Sequence, residues 1–358
     1  MTTDYVALKG ERRRIRCCYL TLLFAFQGAP AVSYAQEHLL EGAPKAPTVM
    51  RFIENPIIRP EMLHNGDGAN INGPSLVRVP DWIKNPLGKY YLYFGDHKGK
   101  YIRLAYADRL SGPWTIYRPG TLKLDQVEEA IGNREPEGGH VASPDVHVDN
   151  LRREIRMYFH GRISSWGHKS GVAISQNGIH FQPRPEPLGE PYFRVFRWGR
   201  HWYALTRSGS LVRSNDGLAS FHDGATSFAE AVSPRGAKSV RGPVVSMRHT
   251  AVTVDGDLLS VFFSRVGDTP ESIMFAKTKL IGDWTTWRLS PPVKILEPEM
   301  DYEGVALPLR PSKGGYARDP VRELRDPCVY REGDKLYLLY SVAGESGIAI
   351  AQLLEARE

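Results

Sequence analysis

The sequence predicts an all-β fold, a five-bladed β-propeller whose ring is closed by an N-terminal strand pairing with the last blade. Three observations predict it. A unit of short apolar strands parted by Gly, Asp, Asn and Glu turns recurs about five times, a few tens of residues apart. With 34 Gly, 26 Pro and 10% aromatic residues, the chain shows no long helical periodicity. The last unit lacks an outer strand, and residues Val49 to Ile58, ahead of the first unit, offer one that would hide two sheet edges. A β-sandwich is the competing arrangement, although its strands seldom recur in one composition pattern.

The first 35 residues differ from the rest. Arg12-Arg13-Arg14-Ile15-Arg16 precedes the apolar run Cys17 to Phe26 and the small-residue pattern Ser33-Tyr34-Ala35. The run is too short to span a membrane and reads as a signal peptide cleaved after Ala35, so the protein is expected to be secreted or periplasmic. Within it Lys9 and four arginines outnumber Asp4 and Glu11 by three, so half of the formal charge of +6 leaves with it. No basic run survives, which argues against nucleic acid as a partner, and no membrane span is expected in the mature chain. Cys17 and Cys18 leave too, and Cys328, in an apolar strand, reads as a packed core thiol. Residues 36–48 form a mobile lead-in to a domain covering 49–358.

The first unit runs Gly73–Val79, Lys89–Phe94, Ile102–Ala107 and Gly112–Tyr117. The second runs Ser143–Val148, Glu154–His160 and Gly171–Ser175, closing near His180-Phe181. A third has Pro191–Phe196, His201–Leu205 and Ser210–Ser214, and the fourth Arg248–Val254, Leu258–Phe263, Ser272–Ala276 and Trp284–Trp287. The fifth opens on Arg325-Asp326-Pro327, continues through Asp334–Tyr340 and ends with Gly347–Ala351.

Laid out in this way, the chain resembles the five-bladed propellers of glycoside hydrolase families 43 and 32, the arabinanase, levansucrase and invertase group. Arg325-Asp326-Pro327 with Asp334–Tyr340 looks like the entry and second strand of a catalytic blade of that group. Gly88–Tyr93 with Leu104–Asp108 and Leu110–Trp114 looks like another blade, and Gly171–Phe181 is similar to its third-strand turn. The first unit departs from the pattern, because Asn72-Gly73-Pro74-Ser75 carries no aspartate; the catalytic blade would then come last.

The resemblance implies hydrolysis of a glycosidic bond in an oligo- or polysaccharide, which needs two carboxyl groups across the sugar and no cofactor. At or just before inner strands stand Asp326, Asp145 and Glu303. Arg325 would keep Asp326 ionised as base or nucleophile, Asp145 resembles the second-blade aspartate that tunes the acid, and Glu303 would be that acid. Glu190 is its substitute, whereas Glu135 and Glu137 belong to a solvated loop. Arg325, His147, His140, Asn72, Arg248 and Tyr302 are the expected substrate contacts. His249 resembles an axial histidine near a central calcium, the metal the resemblance implies; a histidine held by hydrogen bonds or water is the alternative. The remaining histidines show no paired spacing of a zinc site. Trp82, Tyr93, Trp166, Trp198 and Tyr302 are candidate sugar-stacking rings among aromatics that mostly pack between blades.

Two rival functions share the fold. One is a carbohydrate-binding propeller without turnover. The other is a sialidase-like hydrolase of acidic sugars, suggested by the turns Ser175–Phe181 and Ser214–Phe221 and by Arg78, Arg194, Arg248 and Arg325 as carboxylate clamps.

Overall fold

Strand β3 (Tyr90–Gly95) shows why these blades form. It is buried along its whole length, and its side chains alternate between two interfaces. Tyr90, Leu92 and Phe94 pack with Tyr337, Leu339 and Ile350 of the last blade, while Tyr91 and Tyr93 pack with Met157 and Phe159 of the second. A strand apolar on both faces is stable only between two layers, so every blade needs a neighbour on either side.

The computed structural model describes residues 43–132, 138–163, 167–207, 209–219, 221–229 and 246–354. Those residues form five four-stranded antiparallel sheets. Blade 1 adds β2 (Asn72–Arg78), β4 (Arg103–Ala107) and β5 (Thr115–Tyr117) to β3. A short helix, α1 (Leu124–Ile131), leads to blade 2, formed by β6 (His140–Asp149), β7 (Glu154–Ile163), β8 (Gly167–Ser175) and β9 (Gln182–Pro183). Blade 3 comprises β10 (Arg194–Trp198), β11 (His201–Leu205), β12 (Ser210–Ser214) and β13 (His222–Ser227). Blade 4 comprises β14 (Ser246–Asp255), β15 (Leu258–Val266), β16 (Ile273–Lys279) and β17 (Val293–Leu296). Blade 5 comprises β18 (Arg325–Glu332), β19 (Lys335–Ser341) and β20 (Ile348–Leu354), with β1 (Thr48–Arg51) as its outer strand.

The expected closure is therefore present, with Thr48 opposite Leu354 and Arg51 opposite Ala351. Asn55 extends it, donating to Ile350 O and accepting from Ile350 N, both at 2.8 Å. One outer strand differs from expectation. Trp284–Thr286 is a 3-10 turn capped by Asp283, which accepts from Thr285 N at 3.0 Å, and β17 supplies the edge instead. The reason is burial: Trp284 and Trp287 close over Tyr203 between blades 3 and 4, an inward task that an outer strand cannot perform. The expected signal segment, Trp166, Glu135 and Glu137 lie outside the described residues. Among the described residues no helix is long and apolar enough to cross a membrane.

The turns that suggested a sialidase fasten blades together. Tyr93 donates to Gly178 O at 2.7 Å, and Tyr158, one blade on, donates to Gly217 O at 2.8 Å. Ser175 and Ser214 hold these turns by accepting from the amides of Gly178 and Gly217. Both glycines have positive φ, +73°, and a Cβ on Gly178 would lie 2.9 Å from the Tyr93 hydroxyl.

Candidate functional site

The inner strands β2, β6, β14 and β18 each slip register within their first residues, at Asn72–Ser75, Ala142–Asp145, Met247–Thr250 and Arg325–Cys328. In three of them the slip holds a left-handed residue followed by proline: Gly73 (φ 59°), Ser143 (φ 49°) and Asp326 (φ 48°). Such bulges re-aim a side chain out of the pleat. A left-handed aspartate is uncommon, and this one is 1% exposed at the start of the last inner strand.

Asp326 accepts from Ser341 Oγ at 3.3 Å, and Nδ1 of His249 abuts its other oxygen. His249, buried beside Arg248 and Arg194, has a pKa held well below the ordinary imidazole value, first by desolvation and then by those two cations. The mouth above it is a cavity of about 140 Å³ lined in part by His97, His168, Tyr192, Arg207, Arg248 and His249.

Arg325 does not serve Asp326 as expected. Successive residues of a strand point apart, and its guanidinium turns to Glu323 (2.7 Å), Glu345 (3.0 Å) and Glu271 (3.5 Å). Arg248 joins the same network through Glu271 at 2.9 Å and through Lys313 O at 3.0 Å. Glu345 accepts from Asn70 (2.5 Å) and Asn72 (3.3 Å) and lies 3.9 Å from His97 Nδ1. Asn72, Arg248 and Arg325 thus meet in one buried network of glutamates, of which Arg248 reaches the mouth. Burial raises the Glu271 carboxyl above its usual range, against the pull of Arg248 and Arg325.

Asp145 and His147 face a second cavity, of about 260 Å³, farther down the axis, lined also by Arg194, Pro327 and Cys328. Asp145 accepts from the His147 ring at 2.9 Å and from Val195 N at 2.7 Å. Burial would raise its pKa, but His147 and Arg194 outweigh this and hold it below the usual carboxylate range. Burial pushes the Cys328 thiol up to about 12, in keeping with a packed core cysteine. His140 does not accompany His147, because their partners on β7, Arg162 and Arg156, stand six residues and so about 20 Å apart.

His140 lies instead at the upper end of blade 2 with two histidines that sequence reasoning passed over. His140 and His168 both stand opposite Arg162, and His160 is two residues from Arg162 on β7, so all three share one face of the sheet. Their ligand nitrogens lie within 4.8 Å of one another. His160 stacks on Tyr192 with ring centres 3.9 Å apart, and Tyr192 lies 4.6 Å from His249, so aromatic rings connect the histidine cluster to Asp326. Desolvation, added to by His168 and His97, lowers the His140 pKa to about 4, and burial lowers His160 and His168 as well.

The structure corrects several expectations. Glu303 lies off the axis, wholly buried between blades 4 and 5, where it accepts from Arg51 at 2.8 and 3.1 Å and from Tyr340 at 2.9 Å. Tyr302 packs beside it with its hydroxyl near Asn55, and Glu190 is exposed. Among the stacking candidates, Tyr93 and Trp198 pack between blades and Trp82 donates to Asn150, while Tyr192 is the ring in the mouth. The four arginines do not form a carboxylate clamp. Arg194 donates to backbone carbonyls, Arg248 and Arg325 are taken by glutamates, and Arg78 is exposed near Asp81. Among the described residues His249 meets the carboxyl of Asp326 and the ring of Tyr192, whereas calcium takes roughly six to eight oxygen ligands.

No model of an established protein family matches the sequence. The chain is 40% identical over 321 residues to the uncharacterized protein R118 of Acanthamoeba polyphaga mimivirus, covering 85% of this chain and 90% of that one, and it belongs to the same family. Among solved structures, a thermostable family-43 glycoside hydrolase matches 81% of this chain and 91% of its own, at TM-score 0.56 and 15% identity. CoXyl43, a family-43 β-xylosidase/α-arabinofuranosidase from a compost metagenome in complex with xylotriose, matches 80% and 92% at TM-score 0.53 and 14% identity. An N-acetylgalactosamine deacetylase from F. plautii, in complex with blood group B trisaccharide, matches 87% and 95% at TM-score 0.52 and 11% identity. At these identities the likeness establishes the fold, which carries more than one sugar chemistry.

Proposed function

We propose, for a chain that shares its fold with family-43 glycoside hydrolases, that it hydrolyses a glycosidic bond of a neutral oligo- or polysaccharide at the upper mouth. The observation that carries this reading is Asp326, a left-handed aspartate at the start of an inner strand beside the mouth. In this reading Asp326 is the base or nucleophile. Asp145, which is held ionised by His147 and Arg194, faces the second cavity farther down the axis and stands outside the mouth. Glu271, whose pKa burial raises, is the acid that replaces Glu303.

A second reading is a sugar-binding propeller without turnover. It is favoured by one observation: Glu271 has no exposure and is closed off by Ser264 (2.6 Å) and Arg248. A panel of aryl arabinofuranoside, xyloside, fructoside, galactoside and sialoside separates the readings. Turnover of one member that vanishes in Asp326→Asn supports the hydrolase. Absence of turnover with both proteins folded, together with retained glycan binding, refutes it in favour of the second reading.

A further inference from the structure

We propose that His140, His160 and His168 form a three-histidine site for a divalent transition ion of the zinc class, with its fourth position open to the upper mouth. The ring geometry carries the proposal. A tetrahedral ion bonded at about 2.0–2.1 Å to three imidazoles sets their ring centres about 5 Å apart. The three centres here are 4.9, 5.5 and 5.5 Å apart, and the rings meet edge-on at 66°, 78° and 70° instead of stacking face to face. With ligand atoms already within 4.8 Å of one another, small side-chain rotations bring them to the about 3.4 Å that a tetrahedral ion requires.

A second observation is independent of the spacing. His160 is 2% exposed, and its Nδ1 is buried with no hydrogen-bond partner among the described residues. Buried polar atoms are nearly always satisfied, and an orphan costs roughly 1–3 kcal/mol, so a ligand at this nitrogen removes a defect that the fold otherwise carries. The outer support also suits the role. Nδ1 of His140 reaches Gly138 O at 3.5 Å, which leaves Nε2 for the ion, and Tyr192 holds the His160 ring by stacking. The donor set is all imidazole, which selects zinc-class ions over calcium or magnesium. His168 lines the mouth together with Tyr192 and Arg207, so the open position faces the cavity and takes water or an oxygen-bearing ligand.

The test is metal binding and does not depend on turnover, so its failure is distinct from failure of the hydrolase reading. Full-length protein stripped with chelator is titrated with zinc chloride by calorimetry, and reconstituted with cobalt(II) for visible absorption. One ion per chain is expected, with tetrahedral cobalt bands; His168→Ala and His140→Ala, at partly exposed positions, are expected to weaken binding roughly a hundredfold and bleach the bands. His160→Ala is the third variant, with its fold checked by circular dichroism. His180→Ala, on an exposed turn, is expected to bind as the parent does. Absence of binding by the parent, or equal affinity in the His140 and His168 variants, overturns the proposal.

Discussion

Replacing Glu303 by glutamine should destabilise the ring closure and leave the mouth intact. Glu303 has no exposed surface and accepts five hydrogen bonds: two from Arg51, one from Tyr340, and the amides of Glu299 (2.8 Å) and Met300 (3.1 Å). Arg51 ends β1, so this pair ties the N-terminal strand to the last blade. Breaking a buried ion pair costs about 3–5 kcal/mol. Glutamine keeps the carbonyl acceptor, and Arg51 retains Glu299 at 2.9 Å, although that partner is 60% exposed and worth at most about 1 kcal/mol. The expected loss is therefore about 3 kcal/mol. At about 2 °C per kcal/mol for a domain of this size, Tm falls by about 6 °C in thermal unfolding followed by circular dichroism. A double-mutant cycle with Arg51→Met should recover most of that loss as coupling energy. An unchanged Tm with loss of sugar turnover or binding at 25 °C would refute this reasoning and return Glu303 to the site.

Three further outcomes follow from the same contacts. Gly178→Ala should cost about 1–3 kcal/mol, from a left-handed φ and the approach to Tyr93, and Tyr93→Phe about 1–2 kcal/mol by orphaning Gly178 O; urea unfolding with unchanged m checks both. Arg325→Lys cannot reproduce the fork that holds Glu323 and Glu345, and should cost about 3 kcal/mol or more in the same assay. For Asp145 the folded pKa is depressed, so its contribution is present above the unfolded value of about 3.9 and is lost as pH falls through the folded value. Asp145→Asn should accordingly flatten the acid-unfolding curve below about pH 4 while leaving its slope near neutrality unchanged.

The blades themselves were legible because each strand carries its packing requirement locally. Tyr90 to Phe94 is apolar on both faces, and period-two burial on both sides admits only a layered arrangement. Ring closure was legible for the same reason, since an unpaired edge in the last unit and a spare strand at the start imply each other. The outer strand of blade 4 was misplaced because two tryptophans read equally well as strand or as a turn that packs inward.

The candidate site was legible only where its residues are near neighbours on one strand. Asp326 is set by its own bulge and proline, and Asp145 and His147 meet because they are two apart on one strand. Arg325 and Asp326 are adjacent in sequence yet face different partners, because neighbouring strand residues point apart. Glu303, expected from the sequence to be the general acid, is claimed by Arg51 across 252 residues. His140, His160 and His168 show no metal-ligand spacing, since their proximity comes from the register of β6, β7 and β8. Sequence alone determined which segments become strands and what each must bury. The pairing register and the order of blades around the axis decided which side chains meet, because those contacts are made between strands and not along them.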